Sequence, residues 1–154
     1  MRRLETDRLR SAAIARAEAH APFLRELLRA RPEIAEAFVE KGAAAAADLA
    51  LAGPGDGVEQ QLRRQRGGLA LSVALGDLSG ELELEDVTRL LSDFADRAID
   101  EALRAAIAER VLDAAPEGFA VIAMGKLGSH ELNYSSDVDL LLLFDPRTLP
   151  RRDR

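Results

Sequence analysis

Two acidic residues, Asp137 and Asp139, stand on either side of Val138, directly ahead of a run of leucines. On a strand, that spacing sends both carboxylates to one face while Val138 turns to the other. Carboxylates about 6 Å apart repel by about 3 kcal/mol at an effective dielectric near 20. A divalent cation reverses the sign, because magnesium is held by one or two carboxylates together with substrate phosphates. Upstream, Gly128-Ser129 follows an apolar run. A glycine turn there lets backbone amides approach a phosphate with no side chain in the way. Each piece alone has a plainer reading: Gly-Ser after a strand is usually only a turn, and a lone Asp-x-Asp is usually a solvated strand end. Lys126 does not form a P-loop, because the order Gly-x-x-x-x-Gly-Lys-Ser/Thr is absent. His130 reads as a structural hydrogen-bonding group more readily than as a proton shuttle. Glu131 and Asn133 read equally as polar loop residues.

These residues lie between two short apolar runs. Phe119-Ala120-Val121-Ile122-Ala123-Met124, bounded by Gly118 and Gly125, predicts a buried strand. Residues 138–144 predict a second, despite the weak strand preference of leucine, because the run is short and Pro146 follows. Everything before residue 115 has a helical pattern. Residues 6–20 form one helix, broken at Pro22. Phe23, Leu24, Leu27 and Leu28 recur at helical spacing after it, and Pro32 fits the first turn of the next helix. The alanine tract 43–47 continues as helix to the loop Gly53-Pro54-Gly55-Asp56-Gly57. A helix from Val58 to about Leu75 is weakened by Gly67-Gly68, and a turn is expected from Gly76 to Gly80. Residues 85–114 give the clearest helix, with Glu81, Glu83, Glu85 and Asp86 at its start, where the helix dipole favours negative charge. Ala115-Pro116-Glu117-Gly118 closes it. The expected class is α/β (α+β): a helical region over 1–114, then the first strands of a catalytic unit over 115–154.

Composition narrows the chemistry. The 154 residues are 47% hydrophobic, enough for a buried core, and the net charge of −6 opposes nonspecific binding to nucleic acid or to an anionic membrane surface. Arg63, Arg64 and Arg66 form a basic cluster that reads as a solvated helix face. With no cysteine, disulfides and thiolate metal sites are excluded. His20 and His130 have no metal-ligand spacing, which favours hard, oxygen-ligated cations. The N-terminus carries no signal-like apolar run, and no stretch reaches the roughly 20 apolar residues of a membrane span. A cytoplasmic location is expected.

Taken together, Gly125-Lys126-Leu127-Gly128-Ser129-His130-Glu131-Leu132-Asn133-Tyr134-Ser135-Ser136-Asp137-Val138-Asp139 resembles the nucleotidyltransferase signature of the bifunctional glutamine synthetase adenylyltransferase and adenylyl-removing enzymes, within the polymerase-β-like superfamily. Leu75–Gly80, Glu83–Val87 and Leu91–Asp96 are similar to the helical lead-in of that family, so the likeness covers roughly residues 60–146. It implies Mg2+ at Asp137 and Asp139, and nucleotide contacts from Gly128, Ser129 and Ser136. It implies glutamine synthetase as protein substrate, ATP or ADP and phosphate as small substrates, and a PII-type signal protein as regulator. The segment Glu131-Leu132-Asn133 ahead of Ser135-Ser136-Asp137 is closer to the unit that removes AMP from tyrosine by phosphorolysis than to the unit that attaches it. Seven residues separate Ser129 from Asp137, fewer than the superfamily spacing, which weakens the phosphate role of Gly128-Ser129. The superfamily's third carboxylate comes from a later strand; Leu149–Arg154 offers none, and Asp153 is a poor substitute. The expectation is therefore a truncated sheet and a chain inactive, or nearly so, alone. The adenylylating unit and a noncatalytic helical interaction module are the alternatives.

Overall fold

The computed structural model describes residues 2–111 and 117–148. The chain runs through helices α1 (Arg2–His20), α2 (Pro22–Ala30), α3 (Pro32–Lys41), α4 (Ala43–Ala52), α5 (Val58–Ser79) and α6 (Leu84–Arg110). Strand β1 (Phe119–Met124), the single-turn helix α7 (Gly125–Gly128) and strand β2 (Asp139–Phe144) follow. The fold is mostly helical, with a helical N-terminal portion leading into a two-stranded antiparallel sheet, as the sequence pattern predicts. It divides into two compact units, Met1–Leu90 and Leu91–Arg154, so the boundary falls within the span of α6. Among the described residues, no helix is long and apolar enough to cross a membrane.

In the first unit, Pro22 and Pro32 open α2 and α3, where a missing N–H costs no helical hydrogen bond. The core gathers Ala13, Ala17, Leu28, Ile34, Phe38, Ala43, Ala46, Ala50, Leu71 and Leu75. Small residues set its geometry. α4 buries Ala43, Ala46, Ala47 and Ala50, one stripe at helical spacing. A Cβ at Gly68 of α5 would stand 2.8 Å from the Ala50 Cβ, and one at Gly76 would stand 2.7 Å from the Ala43 Cβ. The glycines that weaken α5 as an isolated helix, by roughly 1 kcal/mol each, are what allow it to lie against α4. This corrects the turn expected from Gly76 to Gly80: Gly76 is buried within α5, and only Gly80, with φ 75°, leaves the helix.

A second difference concerns Glu81. Expected among the acids at the start of α6, it instead forms an ion pair with Arg10 of α1 and accepts from the Ala43 N–H at 3.0 Å. Arg10 also donates to the Val39 carbonyl at 3.0 Å and lies over the Phe38 ring. Glu85 and Asp86 remain in the first turn of α6. Asp86 accepts from Arg89 at 2.9 Å and from the Glu83 N–H at 3.4 Å; the arginine bond, then the backbone bond, hold its carboxyl below the usual range. The three arginines of the basic cluster are exposed on α5.

In the second unit, β1 and β2 pair from Phe119↔Phe144 to Met124↔Asp139. The second strand starts at Asp139, one residue later than the apolar run predicts. Phe119, Val121 and Ala123 are half-buried and alternate with exposed neighbours. They face a hollow of about 260 Å³ whose other wall includes Ile99 and Leu103 of α6. Every residue of β2 is exposed. α6 ends at Arg110, and the predicted helix end at Ala115-Pro116, like the tail 149–154 with Asp153, lies outside the described residues.

Candidate active site

β1 passes without a loop into α7, and two glycines make that possible. Gly125 takes a left-handed φ of 56°, which a side chain would resist. At the other end of the turn, a Cβ on Gly128 would lie 2.6 Å from the Ala123 carbonyl oxygen, so only glycine lets the turn fold onto the end of β1. The predicted tight turn after the strand is thus one helical turn, with Leu127 buried beneath it. The amides just after it are occupied within it. Ser129 N–H donates to Gly125 O at 3.1 Å, His130 N–H to Leu127 O at 3.0 Å, and Glu131 N–H to Lys126 O at 2.7 Å. The Ser129 hydroxyl donates to Glu131 Oε2 at 3.1 Å and lies 3.3 Å from the Lys126 carbonyl.

The register then returns the chain to the same place. Met124 pairs with Asp139, so the first residue of β2 comes back beside the first residue of α7. A Cβ on Gly125 would stand 3.3 Å from Asp139 Oδ2. Asp137 is exposed and lies ahead of β2, so strand alternation does not set its direction as the sequence argument assumed. Between them and α7, residues 133–136 close on themselves. Ser136 donates its hydroxyl to Asn133 Oδ1 at 2.7 Å, and Asn133 Oδ1 also accepts from Ser135 N–H at 3.2 Å. With its one proton committed there, the Ser136 hydroxyl must rotate to donate to a phosphate.

Among the described residues, neither Asp137 nor Asp139 has an ion-pair partner, and no group of three or more His, Cys, Asp or Glu residues is placed to hold a metal. Two exposed carboxylates, one of them against the open Cα of Gly125, fit the oxygen-donor set that magnesium shares with substrate phosphate. Asp145, at the far end of β2, is engaged otherwise. It accepts from the Arg147 N–H at 2.9 Å and from the Arg147 guanidinium at 3.2 Å, bonds that hold its carboxyl below the usual range.

Two residues of α6 reach the segment, and sequence reasoning gave them no role. The fully buried Ser92 hydroxyl accepts from the Leu132 N–H at 3.1 Å, and Asp93 Oδ1 lies 3.1 Å from His130 Nε2. A serine inside the apolar pattern of α6 was the available signal, but its partner is 40 residues away in sequence.

A sequence profile of the family described as glutamate-ammonia ligase adenylyltransferase matches residues 10–153. The chain belongs to this family. A bifunctional glutamine synthetase adenylyltransferase/adenylyl-removing enzyme of Xanthobacter autotrophicus is 40% identical over 152 aligned residues, covering 84% of this chain and 15% of the relative. Enzymes of the same name from Mesorhizobium japonicum and Rhizobium meliloti are 36% and 34% identical, covering 81% and 82% of the chain and 15% of each relative. The chain therefore spans about 15% of the length of these family members. No solved structure matches it.

Proposed function

We propose that this chain contributes to the adenylyl-removing unit of an enzyme that regulates glutamine synthetase, and with it nitrogen assimilation. The observation that carries the reading is the return of Asp139 to the open Cα of Gly125, with Asp137 two residues before it and neither carboxylate in an ion pair among the described residues. Family membership supports a nucleotidyl-transfer chemistry for that arrangement.

In the reaction, an oxygen of inorganic phosphate attacks the phosphorus of the AMP–tyrosine ester in line. The new P–O bond forms as the bond to the tyrosine oxygen breaks, giving ADP and the free side chain. Asp137 and Asp139 would hold magnesium, which neutralises charge on the attacking and leaving oxygens. Gly128 and Ser129 border the nucleotide at the end of α7. Ser129 and Ser136 turn their hydroxyls from Glu131 and Asn133 toward phosphate oxygens. Adenylylated glutamine synthetase is the protein substrate, a PII-type protein the regulator, and the cytoplasm the location.

The test is the complete enzyme with Asp137→Asn and Asp139→Asn together. Phosphate-dependent release of AMP as ADP should fall roughly 100-fold or more, the scale of losing electrostatic stabilisation in a transition state. Retained release rules the assignment out. Loss of ATP-dependent, phosphate-independent AMP attachment instead assigns the segment to the adenylylating unit.

A further inference from the structure

We propose that Ser92 and Asp93 of α6 are positioning residues that clamp the segment joining α7 to the two aspartates. The inference rests on the nucleotidyl-transfer reading of that segment. Ser92 has no solvent exposure, and its hydroxyl takes the Leu132 N–H at 3.1 Å, with Leu132 itself buried. A buried amide left without a partner costs at least as much as an ordinary hydrogen bond contributes, so this bond constrains where the chain goes next. One helical position further on, Asp93 Oδ1 meets His130 Nε2 at 3.1 Å. His130 holds a left-handed φ of 62°, the one positive value at a non-glycine among the described residues. Such backbone is uncommon outside glycine, though histidine adopts it more readily than most, and it persists where surroundings determine it. Here the Asp93 contact on its side chain, its own N–H bonded to Leu127 and the Leu132 anchor two residues on hold it from three sides.

The consequence is positional. The chain leaves α7 at Gly128 and re-enters regular structure at Asp139. Within that stretch the Asn133–Ser136 turn is closed by bonds among its own residues. Ser92 and Asp93 tie the segment just before that turn to a rigid element, so the path of the chain toward Asp137 and Asp139 depends on α6.

Hydrogen exchange and calorimetric titration with Mg2+–ADP on the full chain separate the possibilities. Ser92→Ala should speed exchange of the Leu132 amide by roughly fivefold or more, the equivalent of one net hydrogen bond, and weaken Mg2+–ADP by a similar factor. Ser92→Thr, which keeps the hydroxyl, should restore both. Asp93→Ala, at an exposed position, should loosen residues 129–132 and weaken binding without lowering the melting temperature of the chain. Unchanged Leu132 exchange in Ser92→Ala overturns the clamp. Faster exchange with unchanged Mg2+–ADP binding overturns its positioning role. Absence of Mg2+–ADP binding in the unsubstituted chain, with the exchange response intact, marks failure of the proposed function instead.

Discussion

At the scale of single residues, the segment from Gly125 to Asp139 is built from exclusions as much as from contacts. Gly128 is the sharpest case, since any side chain there meets the Ala123 carbonyl at 2.6 Å. Gly128→Ala should therefore destabilise the β1–α7 turn by about 1–3 kcal/mol, the usual cost of forcing an extra carbon into a packed site. Hydrogen exchange of the Ser129 and His130 amides should report it as lost protection; unchanged protection would show that the turn relaxes freely. The sequence reading gave this glycine room beside a phosphate; the structure adds a packing need, the close approach of its own strand. The aspartates stood out in the sequence by their place before a leucine run, although Asp137 lies ahead of β2 and strand spacing does not orient it. Ser92 and Asp93 were not, because a hydrogen bond spanning 40 residues leaves no periodic trace.

At the scale of elements, helices were legible wherever apolar residues recurred on one face and prolines opened a turn. α5 shows the limit. Gly67, Gly68 and Gly76 lower helix propensity locally, yet close packing of Gly68 and Gly76 against Ala50 and Ala43 overrides that preference, and the helix runs through to Ser79. Glu81 shows the same from the polar side, since its partner Arg10 lies 71 residues away. β2 carries a prediction of its own. Its apolar residues from Leu140 to Phe144 are 37–63% exposed, and β1 is its one partner strand among the described residues. An open, apolar edge templates further pairing. The chain should self-associate as its concentration rises, measured by light scattering after size exclusion, and Leu142→Lys should suppress this by placing a charge on the strand. A chain that stays monomeric at high concentration contradicts the expectation.

For the whole molecule, composition restricted function before any element was placed. An acidic chain without cysteine left hard-cation chemistry open and made a nucleic-acid surface a poor expectation. The residues of the proposed site, Asp137 and Asp139 with α7 and the Ser92–Asp93 anchors, all belong to one compact unit, Leu91–Arg154. The mostly helical architecture followed from periodicity. Membership of the glutamate-ammonia ligase adenylyltransferase family followed from the contiguous string 125–139, which periodicity could not have supplied. The central proposal is that two carboxylates, Asp139 at the start of β2 and Asp137 just ahead of it, hold magnesium against a nucleotide phosphate. Calorimetric titration of Mg2+ and ADP into the chain, beside the Asp137→Asn/Asp139→Asn double variant, addresses it directly. Mg2+-dependent nucleotide binding that the double variant abolishes is the predicted result; binding of equal strength in both proteins would contradict it.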